Sequence, residues 1–188
     1  RPGAGKGTQA KVISEFLNLT HLSTGDILRN KIKEKDKLAY ELKEIMSSGK
    51  LVSDKILNSI VASRLKYESQ KGFILDGYPR TLDQSKFLNN FLENSSYRIN
   101  HIFNININFN ILKNRIIKRS SEERRDDDNI NSLETRYSEY LNSTKQVSDF
   151  YRENQKKIFY DIDGSLQIDE ITSKIKEIIK NTWKTAKI

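Results

Sequence analysis

The chain has no cysteine, two prolines, one methionine and one tryptophan in 188 residues. Without cysteine, disulfides and thiolate metal sites are excluded, and a reducing compartment is compatible. Two prolines and 8 glycines leave little room for long linkers. No apolar run approaches the length of a membrane span, and no internal repeat is present. No signal-peptide pattern opens the chain, although an upstream presequence remains an open alternative. The length suits one domain, residues 1–188, with a full core. Charge is unbalanced: 33 Lys and Arg face 25 Asp and Glu, a net +8. Such a balance fits a nucleic-acid surface or a solvated lysine-rich surface around a site for polyanions. The lysines are scattered, which favours the second.

What is present begins at the first residue. Arg1-Pro2-Gly3-Ala4-Gly5-Lys6-Gly7-Thr8 reads as a phosphate-binding loop short of its first glycine. The general pattern is G-x-x-x-x-G-K-[ST]; here Gly7 intervenes and Thr8 comes one place late. Glycines at 3, 5 and 7 let the backbone approach a ligand closely. Successive N–H groups then cradle phosphate oxygens, and Lys6 adds a positive charge. Ala10, Val12, Ile13, Phe16 and Leu17 follow at helical spacing, so the phosphates would also meet a helix N-terminus. The strand that feeds such a loop is expected upstream of Arg1.

Further along, Thr20 to Ser23 reads as a short strand and Thr24-Gly25-Asp26 as a helix start. Helices are predicted over 38–46, from Ser53-Asp54 through Leu65, over 83–92 and over 111–118. Gly72 to Asp76, His101 to Ile107 and Lys157 to Ile162 read as strands. A long helix should carry Leu133, Tyr137, Tyr140, Leu141, Thr144, Val147 and Tyr151 on one face. Ile168, Ile171, Ile175, Ile178 and Ile179 mark a closing amphipathic helix. Alternating strands and helices predict an α/β doubly wound parallel sheet, with ligands at the carboxyl ends of its strands.

Three more clusters accompany the loop: Leu22-Ser23-Thr24-Gly25-Asp26-Ile27-Leu28-Arg29, Asp76-Gly77-Tyr78-Pro79-Arg80-Thr81-Leu82-Asp83-Gln84, and Arg119-(x5)-Arg125-Asp126-Asp127-Asp128 with Arg136 beyond. In this order they resemble the adenylate kinases of the nucleoside monophosphate kinase family, short-lid type, over nearly the whole chain. The family's motifs are G-x-P-G-[SA]-G-K-G-T, S-T-G-D-[LI]-L-R, D-G-[YF]-P-R-x-x-x-Q and R-x5-R-x-D-D; Asp163-Gly164-Ser165 also fits. The resemblance implies a five-stranded sheet of order 2-3-1-4-5, whose first, central strand is absent from this chain. It implies an AMP-binding mobile segment at 23–52 and a short lid at 118–128.

The implied activity is Mg²⁺-dependent, reversible phosphoryl transfer, ATP + AMP ⇌ 2 ADP. Such chemistry asks a protein for positioning and charge stabilisation. By the resemblance, Gly3, Ala4, Gly5, Lys6, Gly7, Thr8, Arg119 and Gly164 hold ATP. Thr24, Arg29, Leu51, Val52, Gly77, Arg80, Gln84, Arg125 and Arg136 hold AMP, with Gln84 at the adenine edge. Lys6, Arg80, Arg119, Arg125 and Arg136 act on the transferring group. Asp127 and Asp128 pair with lid arginines on closure, and Asp76 holds Mg²⁺ through water. Thr24 would equally serve as a helix N-cap. Thr24 and Thr81 stand where pyrimidine-specific relatives usually differ, which favours AMP as acceptor. A UMP/CMP kinase and a catalytically weak nucleotide-binding module remain the alternatives. The lid departs from the family, with Ser120 after Arg119 and Glu123-Arg124 before Arg125, so a stiffer lid is expected. Partners are nucleotides (ATP, AMP, ADP), with no nucleic acid and no membrane expected, and relatives imply a cytoplasmic monomer. His21 and His101 read as ordinary packing or surface residues, and Trp183 as a packing anchor.

Overall fold

The computed structural model describes residues 2–69, 71–112, 114–115 and 130–185. Its elements are α1 (Lys6–Leu17), β1 (Thr20–Ser23), α2 (Thr24–Ile32), α3 (Lys37–Ser47), α4 (Asp54–Glu68), β2 (Phe73–Asp76), α5 (Leu82–Glu93), β3 (Ile102–Asn106), α6 (Ile130–Glu139), α7 (Lys145–Asn154), β4 (Phe159–Asp163) and α8 (Ile168–Thr185). Residues 109–112 and 114–115 are also helical. The remainder of the helix expected to Lys118 lies outside the described residues, as does the lid run 119–128.

Local chemistry sets the ends of these elements. Gly5 precedes α1 with φ 85°, a left-handed conformation that glycine adopts without steric cost. Asn18, at φ 54°, ends the same helix and returns its N–H to Glu15 and Ser14. Ser23 caps α2 by accepting from the Asp26 N–H at 3.3 Å. The cap is therefore Ser23 and not Thr24, because Thr24 already sits in the first turn. Asp36 caps α3 through the Ala39 N–H, and Thr81 caps α5 through the Gln84 N–H.

The strands pair in parallel, as expected of an α/β chain. β1 runs beside β2 from Thr20–Phe73 to Ser23–Asp76. β3 runs beside β4 from Ile102–Phe159 to Asn106–Asp163. Among the described residues these are two separate two-stranded sheets. Each has its own apolar cluster. Leu22, Leu28, Leu42, Val61, Leu65 and Leu88 are buried around the first pair. Ile13, Ile105, Leu112, Ile162, Ile171 and Ile175 are buried around the second. Helix α1 joins the second cluster to α8: Gln9 donates to the Ile168 carbonyl at 3.0 Å and accepts from Thr172 Oγ1 at 2.8 Å.

Three apolar residues depart from the expected stripes, the first being Phe16 of α1, which is 43% exposed. The long helix is interrupted by a π turn, Tyr140–Thr144, which takes more residues per turn and shifts the stripe. Leu133, Tyr140, Val147 and Tyr151 are buried, whereas Leu141 is 43% exposed. Ile168 is 56% exposed: at the mouth of α8 its carbonyl, not its side chain, makes the inward contact. Among the described residues no helix is long and apolar enough to cross a membrane.

Candidate active site

The carboxyl ends of β1 and β2 and the N-termini of α1 and α2 meet at one cavity of about 1130 Å³. Gly3, Gly5, Lys6, Gly7 and Thr8 line one wall; Thr24, Arg29, Leu51 and Val52 line another; Asp76, Gly77, Arg80 and Arg136 lie between. The cavity continues along all of β2 and along Ile102–Ile105 of β3, between the two sheets.

Asp76 ends β2, and its side chain is 13% exposed. Burial alone would raise its pKa. The net displacement is downward, because His21, Lys6 and Arg80 surround the carboxylate with donors and positive charge. His21 Nε2 lies 3.5 Å from Asp76 Oδ2. That is too long for a well-formed hydrogen bond, and Nε2 is otherwise unpartnered among the described residues. Its influence is that of a near dipole or charge. His21 is therefore neither plain packing nor surface: pairing of β1 with β2 sets it against the strand-end acid. His101, by contrast, is a packing residue. It bonds Thr182 Oγ1 through Nε2 at 2.7 Å and stacks on Phe103.

In the first turn of α1, a Cβ added at Gly7 would lie 3.2 Å from Asp76 Oδ2. The bare glycine keeps the carboxylate open toward the loop. Thr24 is buried, and its hydroxyl donates to the carbonyls of Gly77 (3.1 Å) and Asp76 (3.3 Å), tying the start of α2 to the end of β2. Arg29 meets Asp26 at 2.6 Å one turn away.

Arg80 is held through both its backbone and its side chain. Its N–H donates to Gln84 Oε1 at 2.7 Å, its Nε donates to the Gly77 carbonyl at 2.7 Å, and its carbonyl accepts from Thr144 Oγ1 at 3.1 Å. Burial pulls its pKa down, Arg136 and Arg29 add to that, and Asp76 opposes it. An arginine withstands such displacement and stays charged. Gln84 is fully buried and outside the cavity wall. Its amide is occupied by Arg80 on one side and by Asp54 Oδ1, at 2.7 Å, on the other. Gly164 follows β4; its N–H donates to the Asn106 carbonyl at 2.6 Å and its carbonyl accepts from Arg115 at 2.8 Å. It and Ala4, which is wholly buried, are likewise absent from the cavity wall. Arg119, Arg125, Asp127 and Asp128 lie outside the described residues.

Sequence reasoning passed over several residues here. Asp54 accepts from Thr81 Oγ1 at 2.8 Å as well as from Gln84, and Asn58, one turn on, accepts from Tyr78 Oη at 2.6 Å. Helix α4 thus grips the loop that carries Arg80. The polar residues at 54 and 58, spaced by four and so one turn apart on the same helix, were the available signal. Thr144 left none, because it fell within an expected apolar stripe.

A glycine-rich loop at a helix N-terminus, facing a strand-end aspartate within a parallel α/β fold, defines a protein of the phosphate-binding-loop class. The chain belongs, within that class, to the adenylate kinase family. The family model described as "Adenylate kinase" matches residues 1–156. The adenylate kinase of Pelagibacter ubique is 36% identical over 208 residues, covering 95% of this chain and 96% of that protein. The adenylate kinase of Xylella fastidiosa (strain M12) is 38% identical over 175 residues, covering 93% and 92%. That of Flavobacterium psychrophilum is 38% identical over 183 residues, covering 96% and 95%.

Proposed function

We propose that this cavity carries out ATP + AMP ⇌ 2 ADP, the loop side holding ATP and the α2–α4 side holding AMP. The observation that carries the reading is the convergence of Lys6, Arg29, Arg80 and Arg136 on one cavity beside Asp76. Two nucleotides bring many negative charges to one point, and preorganised cations stabilise the charge of the transferring group. Lys6 and the loop amides hold the donor phosphates. Arg29 and Arg80 clamp the acceptor phosphate, a task suited to a guanidinium fork. Arg136, with Arg119 and Arg125 from the lid, faces the group in transit. Thr24, Leu51, Val52 and Gly77 shape the acceptor side. Gln84 reads the adenine edge once acceptor binding frees part of its amide. Asp127 and Asp128 pair with lid arginines on closure.

Asp76 suits Mg²⁺, a hard cation that keeps most of its waters and needs few carboxylates. Its carboxylate is held ionised, and Gly7 leaves it room. Among the described residues no cluster of three or more acidic or histidine ligands exists, which fits a metal held by one acid and by substrate. When bound, Mg²⁺ supplies charge neutralisation at the phosphates.

The reading extends to the sheet: a fifth strand, running into Gly3 from upstream, lies between β2 and β3 and completes the order 2-3-1-4-5. The cavity between the two strand pairs supports this. A cytoplasmic monomer follows from the likeness to short-lid members.

A coupled assay should show ADP formed from ATP and AMP. Lys6→Ala or Arg80→Ala should lower kcat by about a hundredfold or more. Faster turnover of UMP or CMP than of AMP would overturn the acceptor assignment. Tight ATP binding without turnover would overturn the enzymatic reading.

A further inference from the structure

We propose that Thr144 is a positioning residue for phosphoryl transfer, bracing the backbone of Arg80 against the helix that carries Arg136. The inference rests on the reading of Arg80 and Arg136 as cations that hold the transferring phosphate.

Three bonds fix Arg80, and two of them come from its own loop, from Gly77 and Gln84. The third, from Thr144 Oγ1 to the Arg80 carbonyl at 3.1 Å, crosses 64 residues of sequence. It relates Arg80 to the π turn that continues α6, where Arg136 sits. Both guanidinium side chains line the same cavity, and like charges so placed repel more strongly in a partly dry site than in water. Each arginine side chain also has several rotatable bonds, whose freedom works against a fixed geometry. Without a tie between them, the Arg80 loop and the helix of Arg136 would therefore be pushed apart before substrate arrives. The hydrogen bond from the Thr144 hydroxyl to the Arg80 carbonyl holds the Arg80 backbone against the helix of Arg136, at a spacing that an incoming phosphoryl group can use without further reorganisation.

The π turn makes this brace geometrically available. At 3.6 residues per turn, the eight positions from Arg136 to Thr144 would leave the two roughly 80° apart around an unbroken α-helix. The wider turn at Tyr140–Thr144 takes up extra chain and brings the two nearer one face. Both Arg136 and Thr144 line the cavity, as that account requires. The hydroxyl at the end of the turn is then spent on the Arg80 carbonyl. Thr144 touches no reacting atom in this account; it acts through Arg80.

The test compares Thr144→Val, which keeps the shape and loses the donor, with Thr144→Ser, which keeps the donor. Thr144→Ala carries the same expectation as Thr144→Val if the branched methyl groups crowd the turn. Thr144→Val should lower kcat about tenfold while KM for AMP changes less than about threefold, the pattern of misaimed rather than lost binding. Thr144→Ser should stay within about twofold of the parent in kcat, and the melting temperatures of all three should agree within about 3 °C. In an Arg80→Lys background, already misaimed, Thr144→Val should cost less than about twofold, because residues acting as a unit are not additive. Parent-like kcat in Thr144→Val and Thr144→Ala overturns the proposal. So does equal impairment of Thr144→Ser, or full additivity with Arg80→Lys. An Arg80→Ala enzyme of normal kcat would instead sink the underlying assignment of Arg80, a separate result.

Discussion

At the scale of single residues, the site depends on close approaches that a side chain would block. Gly77 follows Asp76 with φ 79°, and a Cβ there would lie 2.9 Å from Thr24 Oγ1 and 3.0 Å from the Arg80 guanidinium. Both the left-handed backbone and the crowding demand glycine. Gly77→Ala should therefore destabilise the fold by about 1–3 kcal/mol, seen as a lowered Tm, and should displace Arg80 enough to depress kcat as well. A parent-like Tm would show that the strand end relaxes freely and that the strain argument is wrong. The motif around Gly77 was legible in the sequence, since its residues lie within one loop. The partners that hold the loop were not: Asp54 and Thr144 come from other elements, and hydrogen bonding across the fold leaves no local pattern.

At the scale of elements, the β3–β4 pair shows how surface chemistry supports a parallel ladder. Asp161 on β4 accepts from Asn104 (2.7 Å) and Asn106 (2.9 Å) on β3, and meets Arg152 of α7 at 3.2 Å. Burial pushes the Asp161 carboxyl up, but the bonds from Arg152 and Asn104 outweigh it, and the group lies below its usual 3.8. A depressed acid stabilises the fold above its unfolded value and loses that contribution as pH falls through the folded one. Asp161→Asn should thus lower Tm at pH 7, on the order of 2 °C for so exposed a group. The gap from the parent should close below pH 3.8. A gap independent of pH would assign the loss to shape rather than charge. The alternation Asn104-Ile105-Asn106-Ile107-Asn108 announced a strand here, but not that two of its asparagines share one carboxylate. In the long helix the heptad-like spacing announced length and missed the π turn, because a bulge changes register without changing composition.

At the scale of the whole molecule, two strand pairs with separate cores face each other across the cavity, with α1 packed against the second core and along β2. The nucleotide site and the gap between β2 and β3 form one continuous space. Backbone N–H and carbonyl groups along such a gap need partners, which the proposed upstream strand supplies. A chain extended upstream through an apolar segment of about five residues, the usual strand length, should melt at higher temperature and bind ATP more tightly. Thermal scans and ATP titrations of the two chains decide it: equal Tm and equal affinity would refute the central-strand proposal.

By itself the sequence determined the class, the family likeness, the strand and helix order and the phosphate loop. These follow from glycine placement, hydrophobic period and short-range spacing, all of which are local. Only the tertiary structure decided that His21 stands against Asp76, that Gln84 is held between Arg80 and Asp54, and that Thr144 reaches Arg80. These depend on which elements pack together, and a polar side chain's partner is settled by proximity in space, where the desolvated site leaves each donor a single place to go.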